Sequence, residues 1–146
     1  VYLSWWLTPL GRPKRYDTRF FVAAAPDQQV SAHDGAELVE QLWLAPADAR
    51  SRARALKLLT PTEKTLESLE RFAGAGEVLA WAAAVRSVPR TMPHMGTGSE
   101  GLRPVLPREP AHAELGRIDP LGHGSGSYEI VPGRPVRLSE RVVRVT

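Results

Sequence analysis

Apolar residues cluster in three early segments of this 146-residue chain, and each has the length and pattern of a strand. Residues 1–7 are almost entirely apolar and contain two tryptophans, which predicts a buried strand. Residues 15–25 are predicted as a second strand, in which successive side chains alternate between two faces. Residues 38–44 (L-V-E-Q-L-W-L) are predicted as a third strand, in which residues 38, 40, 42 and 44 alternate with residues 39, 41 and 43.

Three helices are predicted after these strands. Pro46 suits a first helical position, and the segment 46–59 turns its alanines and leucines to one side. Residues 60–63 (T-P-T-E) match a capping box with proline at the first helical position, which predicts a helix start at that point. A third, mostly buried helix is predicted over 77–86.

Proline and glycine divide the chain near residue 88. Residues 89–146 contain eight prolines and eight glycines, whereas residues 1–88 contain nine of the ten aromatic residues. Large apolar side chains supply most of the area that a core buries. We therefore predict a compact α+β unit over 1–88, a mainly irregular linker over 89–127, and a terminal strand or hairpin over 128–146.

Composition removes several classes of function. The chain has no cysteine, which excludes disulfide scaffolds and thiol nucleophiles and is compatible with the cytoplasmic location that we predict. A membrane-spanning helix needs about 20 consecutive apolar residues. The apolar runs of this chain are shorter, so we expect no membrane partner. The net charge is only +3, so the basic stretch over 50–57 reads as a solvated helix face and nucleic acid is an unlikely partner.

Four blocks in order resemble one branch of the Nudix hydrolase superfamily, the branch of the coenzyme A diphosphatases. Residues 6–9 read W-L-T-P and residues 15–24 read R-Y-D-T-R-F-F-V-A-A, followed by acidic residues before Trp43 and by P-T-E-K-T-L-E-S-L over 61–69. The resemblance covers about residues 4–90. It implies a partial Nudix-type α/β/α sandwich with a mixed sheet, followed by a Pro/Gly-rich tail, and a parent enzyme that hydrolyses a nucleoside diphosphate-linked substrate, such as a coenzyme A-like or ADP-ribose-like compound.

The catalytic box of that family is absent from this chain. The box needs adjacent glutamates that hold Mg²⁺ or Mn²⁺ at a diphosphate, because hard cations take carboxylate oxygens. None of the eleven glutamates is adjacent to another, and the chain begins with Val1 rather than methionine. We therefore expect a C-terminal fragment of a longer Nudix-like protein, inactive alone, with the metal site of the parent enzyme lying upstream.

A second resemblance lies at the other end of the chain. Residues 134–146 (R-P-V-R-L-S-E-R-V-V-R-V-T) resemble the opening strand of a metallo-β-lactamase-fold hydrolase, although a polar edge strand explains the same alternation of valine and arginine. This resemblance supplies the alternative function, a non-catalytic binding or tethering module fused to such a hydrolase.

The Nudix resemblance also supplies candidate site residues. Arg15, Asp17, Arg19 and Trp6 are candidates for binding a nucleotide-like small molecule, although Asp17 and Arg19 equally suit a surface ion pair. All four tryptophans (Trp5, Trp6, Trp43 and Trp81) are expected mainly in the core, with ligand stacking open to either of the first two.

Acidic and histidine candidates are weaker. Glu37 and Glu40 are weak catalytic candidates, and a solvated loop is the competing interpretation. The four histidines are scattered, so we expect no metal site from them, and the glycine–serine run over 122–127 is predicted as a flexible linker. Without the upstream box helix, apolar side chains of the first two strands are expected to be exposed, which favours a homodimer or packing against the missing piece.

Overall fold

The computed structural model describes residues 1–28, 35–36 and 41–145. Over these residues the chain is a mixed α+β protein with three small sheets and four helices, which confirms the predicted α+β class. The strands are β1 (Tyr2–Leu7), β2 (Asp17–Phe21), β3 (Arg90–Thr91), β4 (His94–Gly98), β5 (Gly101–Val105), β6 (Val136–Arg137) and β7 (Val143–Arg144). The helices are α1 (Pro46–Ser51), α2 (Thr60–Leu69), α3 (Ala75–Ala84) and α4 (His112–Ile118).

Strand β1 is the centre of the largest sheet, whose order is β2-β1-β3. It pairs in parallel with β3, in a register that places Trp5 opposite Arg90 and Trp6 opposite Thr91. The prediction of a strand over 1–7 is confirmed. Strand β2 is shorter than predicted, because the alanines and the proline that follow it favour extended pairing only weakly.

The helices form close to their predicted positions, but the first is shorter and the second starts differently. Helix α1 ends at Ser51, well before residue 59. The capping-box prediction is wrong, because Leu59 takes the N-cap position and no side chain caps α2. The Leu59 carbonyl instead accepts a hydrogen bond from the Glu63 N–H at 3.0 Å, and this places Thr60 inside the helix.

Two tryptophans predicted in the core are exposed. Trp43 is 74% exposed and Trp81 is 37% exposed, so the core assignment is wrong for both. Trp81 packs one face against the Phe72 ring, with the Arg71 guanidinium 4.3 Å from the Trp81 ring centroid. The predicted third strand is not formed over 41–44, and its residues 38–40 lie outside the described residues.

Two compact units make up the chain: unit 1 consists of Val1–Ser4 and Phe20–Val88, and unit 2 of Trp5–Arg19 and Pro89–Thr146. Among the described residues of unit 1, the buried positions are Leu3, Val78, Ala82 and Thr65. Thr65 is the one polar member, and its hydroxyl lies 3.1 Å from that of Ser4, so burial leaves it with a partner.

Unit 2 has a core of its own, built within the segment that was predicted to be irregular. Strands β4 and β5 form an antiparallel hairpin, and α4 packs against β4. Val105 and Leu115 are fully buried there with Ala111, and Ile118 and Tyr128 cover them. The prediction of a mainly irregular segment over 89–127 is therefore wrong.

The final segment forms a short hairpin from β6 and β7. Arg144 fastens it to α4, since its Nε and Nη2 donate to the two carboxylate oxygens of Glu114 at 2.7 and 2.9 Å. None of the helices in the described ranges combines the length and apolar character that crossing a membrane requires.

Candidate functional site

The indole of Trp5 lies on the central strand of the three-stranded sheet, between charged side chains from both neighbouring strands. Arg90 is its register partner on β3, and side chains paired across neighbouring strands share a face. The guanidinium carbon of Arg90 lies 5.6 Å from the ring centroid of Trp5, and that of Arg19, on β2, lies 4.8 Å from the same centroid. Both distances are within the range of a cation–π interaction.

Asp17 fixes this arrangement from β2. Its Oδ1 accepts a hydrogen bond of 2.6 Å from Trp5 Nε1 and lies 3.4 Å from Arg19 Nη1. Asp17 and Arg19 share a face because they are two residues apart in a strand. One carboxylate thus orients both the indole and one guanidinium, and we call Trp5, Asp17, Arg19 and Arg90 the Trp5 cluster.

The Trp5 cluster is open to solvent and carries a net positive charge. The side chains of Arg19 and Asp17 are about half exposed, at 48% and 44%. Arg90 is exposed and has no carboxylate partner among the described residues. Two guanidinium groups against one carboxylate leave an excess cation beside an aromatic face, which suits a ligand that combines a planar ring with an anionic group.

The remaining predicted binding residues are positioned differently. Arg15 donates from Nε to the Thr8 carbonyl at 3.0 Å, and its Nη2 lies 3.6 Å from Met92 Sδ. Trp6 is only 8% exposed, and its Nε1 has no hydrogen-bond partner among the described residues. Of the two adjacent tryptophans, Trp5 is therefore the more accessible, because it is half-buried whereas Trp6 is buried.

Sequence reasoning missed Arg90 and gave Trp5 only a minor role. Trp5 carried a signal, since it lies on the opposite face of its strand from Trp6. Arg90 carried none, because the parallel pairing of β1 with β3 joins two segments far apart in the chain.

The acidic candidates Glu37 and Glu40 lie outside the described residues. Within the described ranges, no group of three or more histidine or acidic side chains is close enough to hold a metal ion.

Two of the scattered histidines meet in unit 2. The ring centroids of His94 and His112 are 4.5 Å apart, and His112 Nε2 donates to the Met92 carbonyl at 3.0 Å. Burial lowers the pKa of His94, the His112 ring lowers it further, and Asp119 opposes the shift. The pair therefore favours a neutral His94 at neutral pH.

The glycine–serine run after α4 is folded around a buried carboxylate. Asp119 accepts backbone N–H bonds from His123 at 3.1 Å, from Gly124 at 2.6 Å and from Ser125 at 3.0 Å. Burial raises the pKa of Asp119, and the three N–H donors together outweigh that effect and lower the pKa below its ordinary value. The prediction of a flexible linker over 122–127 is wrong for the part that binds Asp119.

Comparisons with known proteins add no relative. The chain matches no family model, no curated protein and no solved structure. The Nudix resemblance thus rests on the four sequence blocks, and the functional argument rests on the geometry of the Trp5 cluster.

Proposed function

We propose that this chain binds a nucleoside diphosphate-linked compound at the Trp5 cluster, as the ligand-binding part of a Nudix-like hydrolase in the cytoplasm. The observation that carries the proposal is the pair of guanidinium groups that flank the half-buried indole of Trp5. In this arrangement the adenine or another planar ring stacks on Trp5, and the diphosphate lies against Arg19 and Arg90. Its substrate class is a coenzyme A-like or ADP-ribose-like molecule.

The roles of the other residues follow from their contacts. Asp17 is a positioning residue, because its carboxylate holds the Trp5 Nε1 and the Arg19 guanidinium. Arg15 supports the adjoining loop through the Thr8 carbonyl. Hydrolysis itself is assigned to a metal-binding box of the parent protein, so residues 1–146 alone are proposed to bind without turning over.

Association of two copies belongs to the same proposal. Phe21 is 67% exposed and Tyr16 is exposed as well, which leaves aromatic surface next to the sheet. Exposed apolar surface of this kind favours self-association, and the mass of the particle by light scattering tests for the homodimer.

The binding experiment uses residues 1–146 with ADP-ribose and coenzyme A in a calorimeter. Arg90→Gln is expected to weaken ADP-ribose about tenfold, which corresponds to about 1.4 kcal/mol for one charge-assisted contact. Trp5→Leu is expected to weaken both ligands, and Arg86→Gln is the matched control because Arg86 is an exposed arginine outside the cluster. Equal affinities in all four proteins would remove the Trp5 cluster as the site.

An activity assay tests whether residues 1–146 bind the ligand without hydrolysing it. Purified residues 1–146 are expected to release no AMP from ADP-ribose at any Mg²⁺ or Mn²⁺ concentration. Turnover that disappears in a Glu37→Gln, Glu40→Gln double variant would overturn the assignment of catalysis to the upstream box.

The second candidate is a non-catalytic module that binds or tethers a metallo-β-lactamase-fold hydrolase. The observation that favours it is the two-point ion pair between Arg144 and Glu114, which fastens the segment carrying that resemblance to α4. This second candidate predicts that Arg144→Gln releases the hairpin from α4. It also predicts that neither the unsubstituted chain nor the variant binds ADP-ribose.

A further inference from the structure

A shallow apolar groove of about 400 Å³ lies within unit 1, and none of its lining residues belongs to the Trp5 cluster. Its volume is within the range of about 300–1,000 Å³ that is typical of binding sites. The groove is lined by Leu42, Leu44, Ala49, Leu56 and Leu58.

The turn after α1 explains how two leucines so close in sequence both face the groove. Lys57 adopts a left-handed conformation with a φ of 52°. The Leu58 N–H donates to the Ala53 carbonyl at 2.9 Å and the Lys57 N–H to the Arg54 carbonyl at 3.3 Å, which is the bonding pattern of a Schellman motif. The chain reverses at Lys57, and the residues on either side of it, Leu56 and Leu58, both line the groove.

Further apolar surface borders the groove residues along the chain. Trp43 and Leu59 are each 74% exposed, although both are large apolar residues. They adjoin groove residues in sequence on both sides, Leu42 and Leu44 in one case and Leu58 in the other. Apolar exposure concentrated in one segment marks an interaction surface better than single exposed leucines do.

The exposed charges of the same segment are mostly positive. Arg52, Arg54 and Lys57 are exposed and have no carboxylate partner among the described residues. Arg50 differs, because its guanidinium lies 2.7 Å from a Glu70 oxygen and 3.9 Å from one of Glu67. Asp48 is the one acidic residue of α1, so the exposed charges over residues 46–59 are three cations and one carboxylate.

We propose that this groove binds an amphipathic helix of a partner protein whose apolar ridge is flanked by acidic residues. Leucine-sized side chains spaced at i, i+3 or i+4, and i+7 fill such a groove, and flanking carboxylates pair with Arg52, Arg54 and Lys57. A second copy of this chain is a poor occupant, because a two-fold contact would bring the same cations together. A concave surface also favours a ridge of side chains over the flat surface of a membrane.

The experiment uses residues 1–146 and a labelled synthetic helix with leucines at those spacings and glutamates beside them. The control peptide has lysine in place of every glutamate, and binding is followed by fluorescence anisotropy. We expect the glutamate peptide to bind at least tenfold more tightly than the lysine peptide, and added salt to reduce the difference.

Charge-reversal variants identify the surface. Arg52→Glu, Arg54→Glu is expected to reverse the preference between the two peptides, and the matched control Arg12→Glu, Arg108→Glu, at exposed arginines of unit 2, to leave it unchanged. Leu56→Ser is expected to weaken both peptides, with circular dichroism checking that the fold survives. Equal affinity for the two peptides, reversal by the control pair, or binding of phosphatidylserine vesicles without binding of either peptide would overturn the proposal.

Discussion

The two units bury their side chains by different means. Unit 1 contains most of the aromatic residues and three of the helices, yet the large side chains of Trp43, Leu59 and Trp81 are exposed. Unit 2 is rich in glycine and proline, and it contains Val105 and Leu115, the two largest fully buried side chains. Large apolar residues are therefore not sufficient for a tight core, because burial also requires neighbours that come close enough.

Glycine supplies that close approach in unit 2. A Cβ added to Gly98 would lie 2.4 Å from the Tyr128 ring, and one added to Gly126 would lie 2.6 Å from Leu115 Cδ2. Because glycine has no side chain, Tyr128 and Leu115 occupy the space that a side chain at these positions would fill. Glycine here is a packing residue of the core and not a sign of an irregular chain.

The largest effect that separates the units is expected at Leu115. Leu115→Ala removes a fully buried side chain and is expected to cost about 2–5 kcal/mol in the free energy of unfolding. Leu59→Ala, at a leucine that is 74% exposed in unit 1, is the control and is expected to cost far less. Urea denaturation measures both, and similar costs would break the contrast between the two cores.

A single type of substitution is expected to have opposite signs in the two units. Gly98→Ala is expected to destabilise by about 1–3 kcal/mol, because the new methyl overlaps the Tyr128 ring. Gly76→Ala, within α3 and with no atom within 4 Å of the new Cβ, is expected to stabilise by about 0.5–1 kcal/mol. Thermal melts of the two variants give the signs directly, and a stabilised Gly98→Ala would contradict the packing role.

The smallest expected effect is a pH dependence confined to unit 2. The pKa of His94 is lowered by burial and by His112, so the unfolded chain takes up a proton at a higher pH than the folded chain does. Stability is therefore complete above the ordinary histidine pKa of about 6.5 and falls as the pH drops below it. His94→Gln is expected to flatten this decline between pH 7 and 5, whereas His123→Gln, at an exposed histidine, serves as the control. An unchanged decline in His94→Gln, measured by urea midpoints, would assign it to other groups.

Local signals predicted the elements that depend on local physics. The apolar run at β1 and proline at the start of α1 and α2 placed those elements, because strand pairing and helix initiation respond to nearby residues. The closeness of Asp17 and Arg19 could also be predicted, because residues two positions apart in a strand lie on the same face. These successes cover two of the three strands of the largest sheet, β1 and β2, and the pairing of Asp17 with Arg19 on β2.

Long-range contacts decided the rest. Arg90 joins the Trp5 cluster through a parallel pairing across most of the chain, and no local pattern encodes that register. The same is true of His94 and His112, whose rings meet only because α4 packs on β4. The prediction for 89–127 relied on proline and glycine content. Composition does not distinguish a glycine that makes the backbone flexible from one that lets a neighbouring side chain pack closely.

The bonds to Asp119 have a consequence for the binding chemistry of unit 2. Three consecutive N–H groups aimed at one carboxylate form the kind of concavity that elsewhere receives a phosphate. Here the anion is attached to the same chain and stands at an effective concentration that a free ligand in solution must exceed. The loop is therefore an anion-binding turn whose N–H groups are already occupied by a carboxylate of its own chain.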